Sequence, residues 1–251
     1  MASREYRKGV NTVFFYFDPT FIILIPAMIL VMIAQFSVTS NFNKYSRIRG
    51  GKGITGAEAA RRMLDKNGLT DVQIKPVRGS LTDHYDPRTR TVNLSEPVYG
   101  SDSVSAVGVA CHECGHALQH AHSFAPLIFR NSIVPVVNIA STFSWVLVIA
   151  GILLMSMSRE PDGGFGGMLL NIGIIAFLIV VLFHLVTLPV ELNASHRAIV
   201  QISEMGLVTP EHEIGVKKVL NAAALTYLGA LVMAIANLLR ILAISGMSRR
   251  N

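Results

Sequence analysis

Residues 106–122 read AVGVACHECGHALQHAH, and this stretch decides the fold that the chain can adopt. Asp102 or Ser103 can cap a helix at its start, and we expect that helix to run through His122 until Pro126 ends it. We expect the helix to be amphipathic and to belong to a water-facing domain. Small side chains within it would let neighbouring elements approach closely: Gly108, Ala110, Gly115 and Ala117.

Two histidines in this stretch have the spacing of metal ligands. His112 and His116 are four residues apart, so both imidazoles lie on one face of the helix and can bind one ion. Glu113 would then point to the side of the ion where a bound water sits, which is the arrangement of a zinc peptidase. Zinc lowers the pKa of such a water to about 7 and polarises a scissile carbonyl. The pattern therefore predicts one Zn²⁺ ion with Glu113 as general base; the alternative is a surface helix with incidental histidines.

A catalytic zinc site keeps three protein ligands and one open position, so the third ligand must come from elsewhere in the chain. We favour Glu191 in PVELNASHRA (189–198), although an acid there could also be a solvated residue at a helix start. Asn193 or Ser195 could hydrogen-bond a metal ligand from behind. Small residues at helical spacing from Glu191 would let its helix pack tightly: Ala194, Ser195 and Ala198. The other candidates for the third ligand are His120, His122, His184 and His196.

The composition is that of a membrane protein. Hydrophobic residues make up 51% and charged residues 15% of the 251-residue chain, whereas a soluble domain carries about 25% charged residues. The mean hydropathy is +0.47. The net charge of +6 does not indicate a nucleic-acid partner, because no dense basic run exceeds three residues and basic residues lie mostly near the apolar stretches.

Four stretches are long and apolar enough to cross a bilayer, for which about 20 residues are needed. They run roughly over residues 19–38, 133–157, 168–188 and 222–245. Arg4, Arg7 and Lys8 precede the first stretch as in a signal peptide, but no small-residue cleavage site follows, so we expect a retained anchor. With four spans, the polar segments 40–132 and 189–221 must face the same side of the membrane and can build one domain together.

The predicted fold class is therefore mainly α: a multi-pass helical membrane protein with a small α+β, zincin-like metallopeptidase domain built from two chain segments. The predicted parts are a tail with the first transmembrane helix (1–39), the metallopeptidase domain with the zinc-binding helix (40–132), the second and third transmembrane helices (133–188), the helix with the third ligand, which belongs to the metallopeptidase domain (189–221), and the fourth transmembrane helix with a tail (222–251). Basic residues after the first span favour a cytoplasmic catalytic domain: Lys44, Arg47, Arg49 and Lys52.

Local signals predict further elements in the first polar segment. Thr55 is typical of the cap of a helix, and Gly68 stops that helix. A short alternating strand follows over residues 72–76. The stretch LTDHYDPRTRTVNLS (81–95) then indicates a hairpin whose second strand covers residues 91–94.

The hairpin carries side chains that we expect to contact a substrate. A strand beside the zinc-binding helix can receive an extended peptide by backbone pairing. His84 or Tyr85 could donate a hydrogen bond to the oxyanion that forms on the substrate carbonyl. The alternative is turn chemistry, in which Asp86 before Pro87 simply makes the hairpin.

The second polar segment predicts two helices. Pro189 suits the first turn of one helix, which Gly206 stops. Thr209 and Pro210 open another helix, and this helix leads into the fourth span.

The two cysteines, Cys111 and Cys114, lie three residues apart in the zinc-binding helix. A disulfide between them is not expected, because the helix would have to distort to bring the sulfur atoms together. We interpret them as small buried helix residues; the alternative is a thiol role in metal binding or redox sensing.

The chain resembles the YugP-like family of neutral zinc metallopeptidases, which are bacterial membrane proteins. The matching pieces are TGAEAARRMLDKNGL (55–69), LTDHYDPRTRTVNLS (81–95), VYGSDSVSAVGVACHECGHALQHA (98–121) and LPVELNASHRA (188–198). The resemblance implies zinc at His112 and His116, with Glu113 catalytic. The chain is also distantly similar to the HtpX-like gluzincins, whose third-ligand helix reads Glu-x-x-Ala-Asp. Here Glu191 is followed by Ala194 and Ser195, so that a serine replaces the aspartate.

These patterns favour a membrane-anchored zinc endopeptidase that cleaves unfolded, membrane or membrane-proximal polypeptides in contact with the lipid bilayer. One alternative is a non-enzymatic membrane scaffold or chaperone with an idle metal site.

The other alternative is a transporter or channel, which would need polar residues lining the spans. The first three spans contain few of them: Gln35, Asn138, Asn171 and His184.

Overall fold

The computed structural model describes residues 19–157 and 164–248. Seven helices and three strands make up the described part of the chain. The helices are α1 (Ile25–Tyr45, preceded by a 3₁₀ turn at Pro19–Leu24), α2 (Gly56–Lys66), α3 (Glu96–Tyr99), α4 (Val104–Ala121), α5 (Ala125–Met157), α6 (Gly164–Met205) and α7 (Pro210–Ser248). The strands are β1 (Gln73–Val77), β2 (His84–Asp86) and β3 (Thr91–Ser95). The basic residues expected before the first span, Arg4, Arg7 and Lys8, lie outside the described residues.

Four of the described helices are long and apolar enough to cross a membrane, as the sequence predicts. They cover Pro19–Tyr45, Ala125–Met157, Gly164–Met205 and Pro210–Gly246. Each helix continues beyond the apolar stretch that predicted it, because its polar end packs into the domain beside the membrane. The chain is therefore a mainly α membrane protein with a small α+β domain.

Two prolines do not act as the sequence suggested. Pro189 was expected in the first turn of a helix, but it lies inside α6, so the third span and the segment with Glu191 are one continuous helix. A proline in a helix interior removes one backbone hydrogen bond, and membrane helices tolerate this because neighbouring groups satisfy the freed carbonyl. Pro126 does not end α4 but lies in the first turn of α5, where its missing N–H is no loss. Gly206 ends α6 as predicted, with a φ of +57°.

The predicted small elements are present. Thr55 caps α2 through a capping box with Glu58, in which each side chain bonds the backbone of the other residue. β2 and β3 form the predicted antiparallel hairpin, and β1 pairs with β3 in parallel. The strand order β1-β3-β2 leaves β2 at one edge of the sheet.

α4 is the central helix of the domain. The expectation that this helix is amphipathic is wrong. Most of its side chains are buried, including both cysteines. It packs against α2, α6 and α7, so that elements from both polar segments cover it on several sides. A helix enclosed in this way is apolar all round, and its few polar side chains are then held by specific partners.

Small residues bring α4 and α6 close together, as predicted from the sequence. A Cβ atom at Gly115 would lie 2.5 Å from the carbonyl oxygen of Ala194 on α6. A Cβ atom at Gly108 would lie 3.4 Å from a side-chain carbon of Val216, which belongs to α7. The backbone of α6 can therefore approach α4 only where residue 115 has no side chain.

Candidate metal centre

Three polar side chains meet where α4 crosses α6. His112 and His116 project from α4, and Glu191 projects from α6. Oε2 of Glu191 lies 3.3 Å from Nε2 of His112 and 3.4 Å from Nε2 of His116. The three side chains are only 11%, 12% and 5% exposed. One ligand atom from each residue lies within 4.8 Å of the others, so that the group could hold a metal ion.

The donor set fits a zinc ion. Two imidazole nitrogens and one carboxylate oxygen are the ligands of many catalytic zinc sites. Oε2 of Glu191 is buried and makes no hydrogen bond of acceptable geometry with any described residue. A buried carboxylate oxygen without such a bond is costly unless it binds a cation. The other atoms of these residues are held in place by neighbours, which leaves the three converging atoms for an ion.

Gln119 sets the orientation of His116. Its Nε2 donates to the carbonyl oxygen of Val190 at 2.8 Å and to Oδ1 of Asn193 at 3.0 Å. The Oε1 atom of Gln119 must therefore accept the bond from Nδ1 of His116, which is 3.0 Å long. Because Nδ1 carries the proton, the Nε2 lone pair of His116 is available for a metal.

Ser195 contacts the other histidine. Its Oγ lies 3.1 Å from Nδ1 of His112, and both side chains are buried. Ser195 therefore lies where it can orient the first ligand. Asn193, the other residue expected behind a ligand, bonds Gln119 and accepts a hydrogen bond from Arg197.

Arg130 holds the second oxygen of Glu191. Its Nη1 donates to Oε1 at 3.0 Å, and its side chain is 24% exposed. The ion pair fixes the carboxylate so that Oε2, and not Oε1, faces the two histidines. A guanidinium paired with a buried carboxylate in this way also offsets the cost of burying its charge.

The charges around His116 favour its protonated form when no metal is bound. Burial lowers the pKa of His116, but the adjacent carboxylate of Glu191, with the charge of Glu113, outweighs that effect and raises the pKa. Metal binding at this imidazole therefore competes with its protonation.

The three side chains line a cavity of about 210 Å³, which we call the metal cavity. Glu113 also lines it; its residue is 8% exposed. Its carboxylate makes no hydrogen bond or ion pair with the described residues, which suits a group that must accept a proton from a mobile water. Further residues on the wall are His84, Tyr85, Arg130 and Tyr227.

His84 and Tyr85 lie on the wall of the metal cavity, and each contacts a neighbouring side chain or carbonyl. The hydroxyl of Tyr85 lies 2.9 Å from Nδ1 of His120, and burial raises the pKa of Tyr85. Nδ1 of His84 donates to the carbonyl oxygen of Thr82 at 2.9 Å, because Nε2 of His84 accepts from Asn93. Their contact with a substrate remains a prediction.

Among the described residues, the other candidate ligands lie outside the metal-binding group. His120 contacts Tyr85, and Nδ1 of His122 lies 3.2 Å from Arg197. His184 lines a separate cavity between the spans. His196 is exposed.

Three residues of the centre are not among those predicted from the sequence: Gln119, Arg130 and Tyr227. Each carried a weak signal. Gln119 lies one turn after His116 in a helix of small residues, and Arg130 is a single charge just before an apolar stretch. Tyr227 is a polar aromatic residue within the fourth span. None of these signals indicates a site without the fold.

Comparison with known proteins agrees with this centre. The family described as "Putative neutral zinc metallopeptidase" matches residues 20–246. A curated relative, "Putative membrane protease YugP" of Bacillus subtilis (strain 168), is 51% identical over 216 residues, which cover 86% of this chain and 92% of the relative. No solved structure matches the chain. The resemblance to the YugP-like family is therefore confirmed.

Proposed function

Because the chain belongs to the family of neutral zinc metallopeptidases, we propose that it is a membrane-anchored, zinc-dependent endopeptidase. His112, His116 and Glu191 would hold one Zn²⁺ ion, and Glu113 would act as general base. The observation that carries the proposal is the meeting of these ligand atoms, from two distant chain segments, in a cavity that Glu113 also lines.

The chemistry divides between the ion and the protein. A bound zinc ion would supply a water of lowered pKa and polarise the scissile carbonyl. Glu113 takes the proton of the attacking water and delivers it to the nitrogen of the leaving amine. The hydrogen bond that His116 donates to Gln119 and the contact of Ser195 with His112 keep both imidazoles in register, and Arg130 keeps Glu191 in place.

The edge strand β2 supports the proposed substrate position. It pairs with β3 on one side only, so its other edge can receive an extended peptide. His84 and Tyr85, on this strand, are the proposed contacts to the substrate or its oxyanion. The substrates would be membrane or misfolded polypeptides. The catalytic domain that cleaves them would lie on the cytoplasmic side, and the lipid bilayer would be the second partner of the protein.

Two substitutions test the centre in the full-length protein. Glu113→Gln should retain zinc and lose hydrolysis of a denatured protein, because only the base is removed; Glu96→Gln, an exposed acid on α3, is the control. Glu191→Ala should lose stoichiometric zinc, measured by metal analysis, because the third ligand is gone.

The results separate the two functions that the sequence left open. Undiminished turnover by Glu113→Gln would reject the base, and full zinc in Glu191→Ala would reject the third ligand. Cellular function that survives Glu113→Gln would favour the alternative of a non-enzymatic scaffold or chaperone with an idle metal site.

A further inference from the structure

Three cavities lie one after another between the metal centre and the spans, and neighbouring cavities share lining residues. The metal cavity adjoins a cavity of about 320 Å³, the junction cavity, and Asp83, Glu113 and Tyr227 line both. Gln35 and Thr226 line both the junction cavity and a third cavity of about 390 Å³, the membrane cavity. Side chains at each shared wall therefore connect the base of the candidate centre to the interior of the helix bundle.

The membrane cavity lies between three of the spans. Its walls come from α1, α6 and α7, for example Ala34, Val180 and Ala230. In the described part of the chain, α1 packs along α7 and makes no comparable contact with α6. The cavity can therefore open sideways between α1 and α6, toward the hydrocarbon of the bilayer.

The walls of the membrane cavity are apolar except at four positions. These polar side chains are Gln35, His184, Thr226 and Asn237. Polar groups within membrane spans are costly and commonly functional. A lipid acyl chain cannot form hydrogen bonds with these side chains, whereas an extended peptide in hydrocarbon carries backbone N–H and C=O groups that need partners. The chemistry of this wall therefore matches a polypeptide.

The size of the path also suits a peptide. Tyr227 and Asn237 are ten residues apart on α7, which corresponds to about 15 Å along the helix. An extended strand rises about 3.3 Å per residue, so this length holds roughly four or five residues. Such a segment would run from the membrane interior to Glu113.

We infer that the junction and membrane cavities bind the unwound, apolar end of a transmembrane segment of a substrate polypeptide, with the scissile bond beside Glu113. The inference rests on the proposed peptidase function and names its substrate class. We therefore expect cleavage at the end of a membrane span of the substrate. Val180 and Ala230 form part of the wall that contacts the apolar residues of the substrate.

Cleavage by the full-length protein in liposomes tests the groove. One probe is a synthetic peptide with a single apolar span and polar flanks, and the other is a short, water-soluble peptide with the flank sequence alone. Val180→Trp should lower kcat/KM for the spanning peptide about tenfold or more, since it fills the cavity, and leave the soluble peptide and the zinc content unchanged. The control Leu178→Trp lies on the exposed side of the same helix and should change neither. Equal cleavage of the spanning peptide by Val180→Trp and the parent would overturn the inference.

Crosslinking in the Glu113→Gln protein separates failure of the groove from failure of the peptidase. A photoreactive benzoylphenylalanine in place of Met233, a long side chain on the wall of the membrane cavity, should attach to the spanning peptide, and one in place of Leu178 should not. Adducts with phospholipid alone at position 233 would overturn the inference, whatever the activity. If the parent protein cleaves neither probe but the variant with the photoreactive group at position 233 crosslinks the spanning peptide, the proposed hydrolysis is rejected and the binding groove is kept.

Discussion

Gln119 is fully buried and joins the two helices that carry the candidate ligands. Its amide has one orientation because both of its donors are satisfied by carbonyl oxygens of α6 residues. The remaining oxygen then decides which nitrogen of His116 carries the proton. A neutral side chain without a role in the chemistry thus prepares the metal site.

Replacing Gln119 should weaken the site. We expect Gln119→Ala to lower zinc affinity about 10- to 100-fold, because His116 loses the acceptor that fixes its tautomer. Competition with a chromogenic chelator measures the affinity. Gln73→Ala, at an exposed glutamine, is the matched control and should bind zinc as the parent does. Unchanged affinity in Gln119→Ala would show that His116 is oriented by other contacts.

The two cysteines should be inert in the folded protein. Both are fully buried, and burial raises the pKa of Cys111 to about 12. At pH 8 the Cys111 thiol is therefore protonated, and an alkylating reagent cannot reach either buried cysteine. Iodoacetamide should label neither cysteine in the native state and both after denaturation, as read by mass spectrometry. Rapid labelling of the native protein would favour the thiol role that the sequence left open.

At the scale of elements, the contact between α4 and α6 determines both packing and metal binding. Gly115 lets the backbones approach, and His112 and Glu191 meet only if they do. The continuity of α6 through Pro189 has a related effect, since it ties the position of Glu191 to the third span. A shift of either helix would change the distances among the ligand atoms.

Adding one methyl group at this contact should therefore be costly. Gly115→Ala would place a carbon 2.5 Å from the Ala194 carbonyl oxygen, and we expect a loss of about 1–3 kcal/mol in stability together with weaker zinc binding. Gly108→Ala is the control, because its new carbon meets only a side-chain methyl at 3.4 Å. Thermal unfolding in detergent and zinc content report the two effects. Equal behaviour of the two variants would contradict the close contact.

In the complete fold, the domain is built from two polar segments, one between the first and second spans and one between the third and fourth. Its core joins residues of α2, β3 and α4 to residues of α6 and α7. Four spans place both polar segments on one side of the membrane, which this shared core requires. The sequence further favours the cytoplasmic side, on the charges after the first span.

Labelling of introduced cysteines tests this topology. Lys75→Cys and Glu204→Cys lie at exposed positions of the two segments, and the native thiols are buried. A membrane-impermeant maleimide should label neither variant in intact cells and both after permeabilisation. Labelling of the two positions from opposite sides would contradict the shared domain. Labelling of both in intact cells would keep the domain and reverse its orientation.

Features that depend on residues close together in the chain follow from the amino-acid sequence alone. The spacing of His112 and His116 on a helix, the Thr55 cap, the end of α6 at Gly206 and the four apolar spans follow from local periodicity and backbone preference. The composition indicated the membrane, and the motifs identified the family. The sequence favours Glu191 over the other candidates because it follows the third span on the same side of the membrane as the His112 motif and has small neighbours at helical spacing.

The contacts between distant residues become visible only in the folded chain. Ser195 reaches His112 across 83 residues and Arg130 reaches Glu191 across 61, and no periodicity encodes such pairs. The enclosed position of α4, the unbroken helix at Pro189 and the path into the spans likewise depend on how close the helices pack. Local preferences act within a few residues, whereas a distance between helices is set by every side chain at their contact.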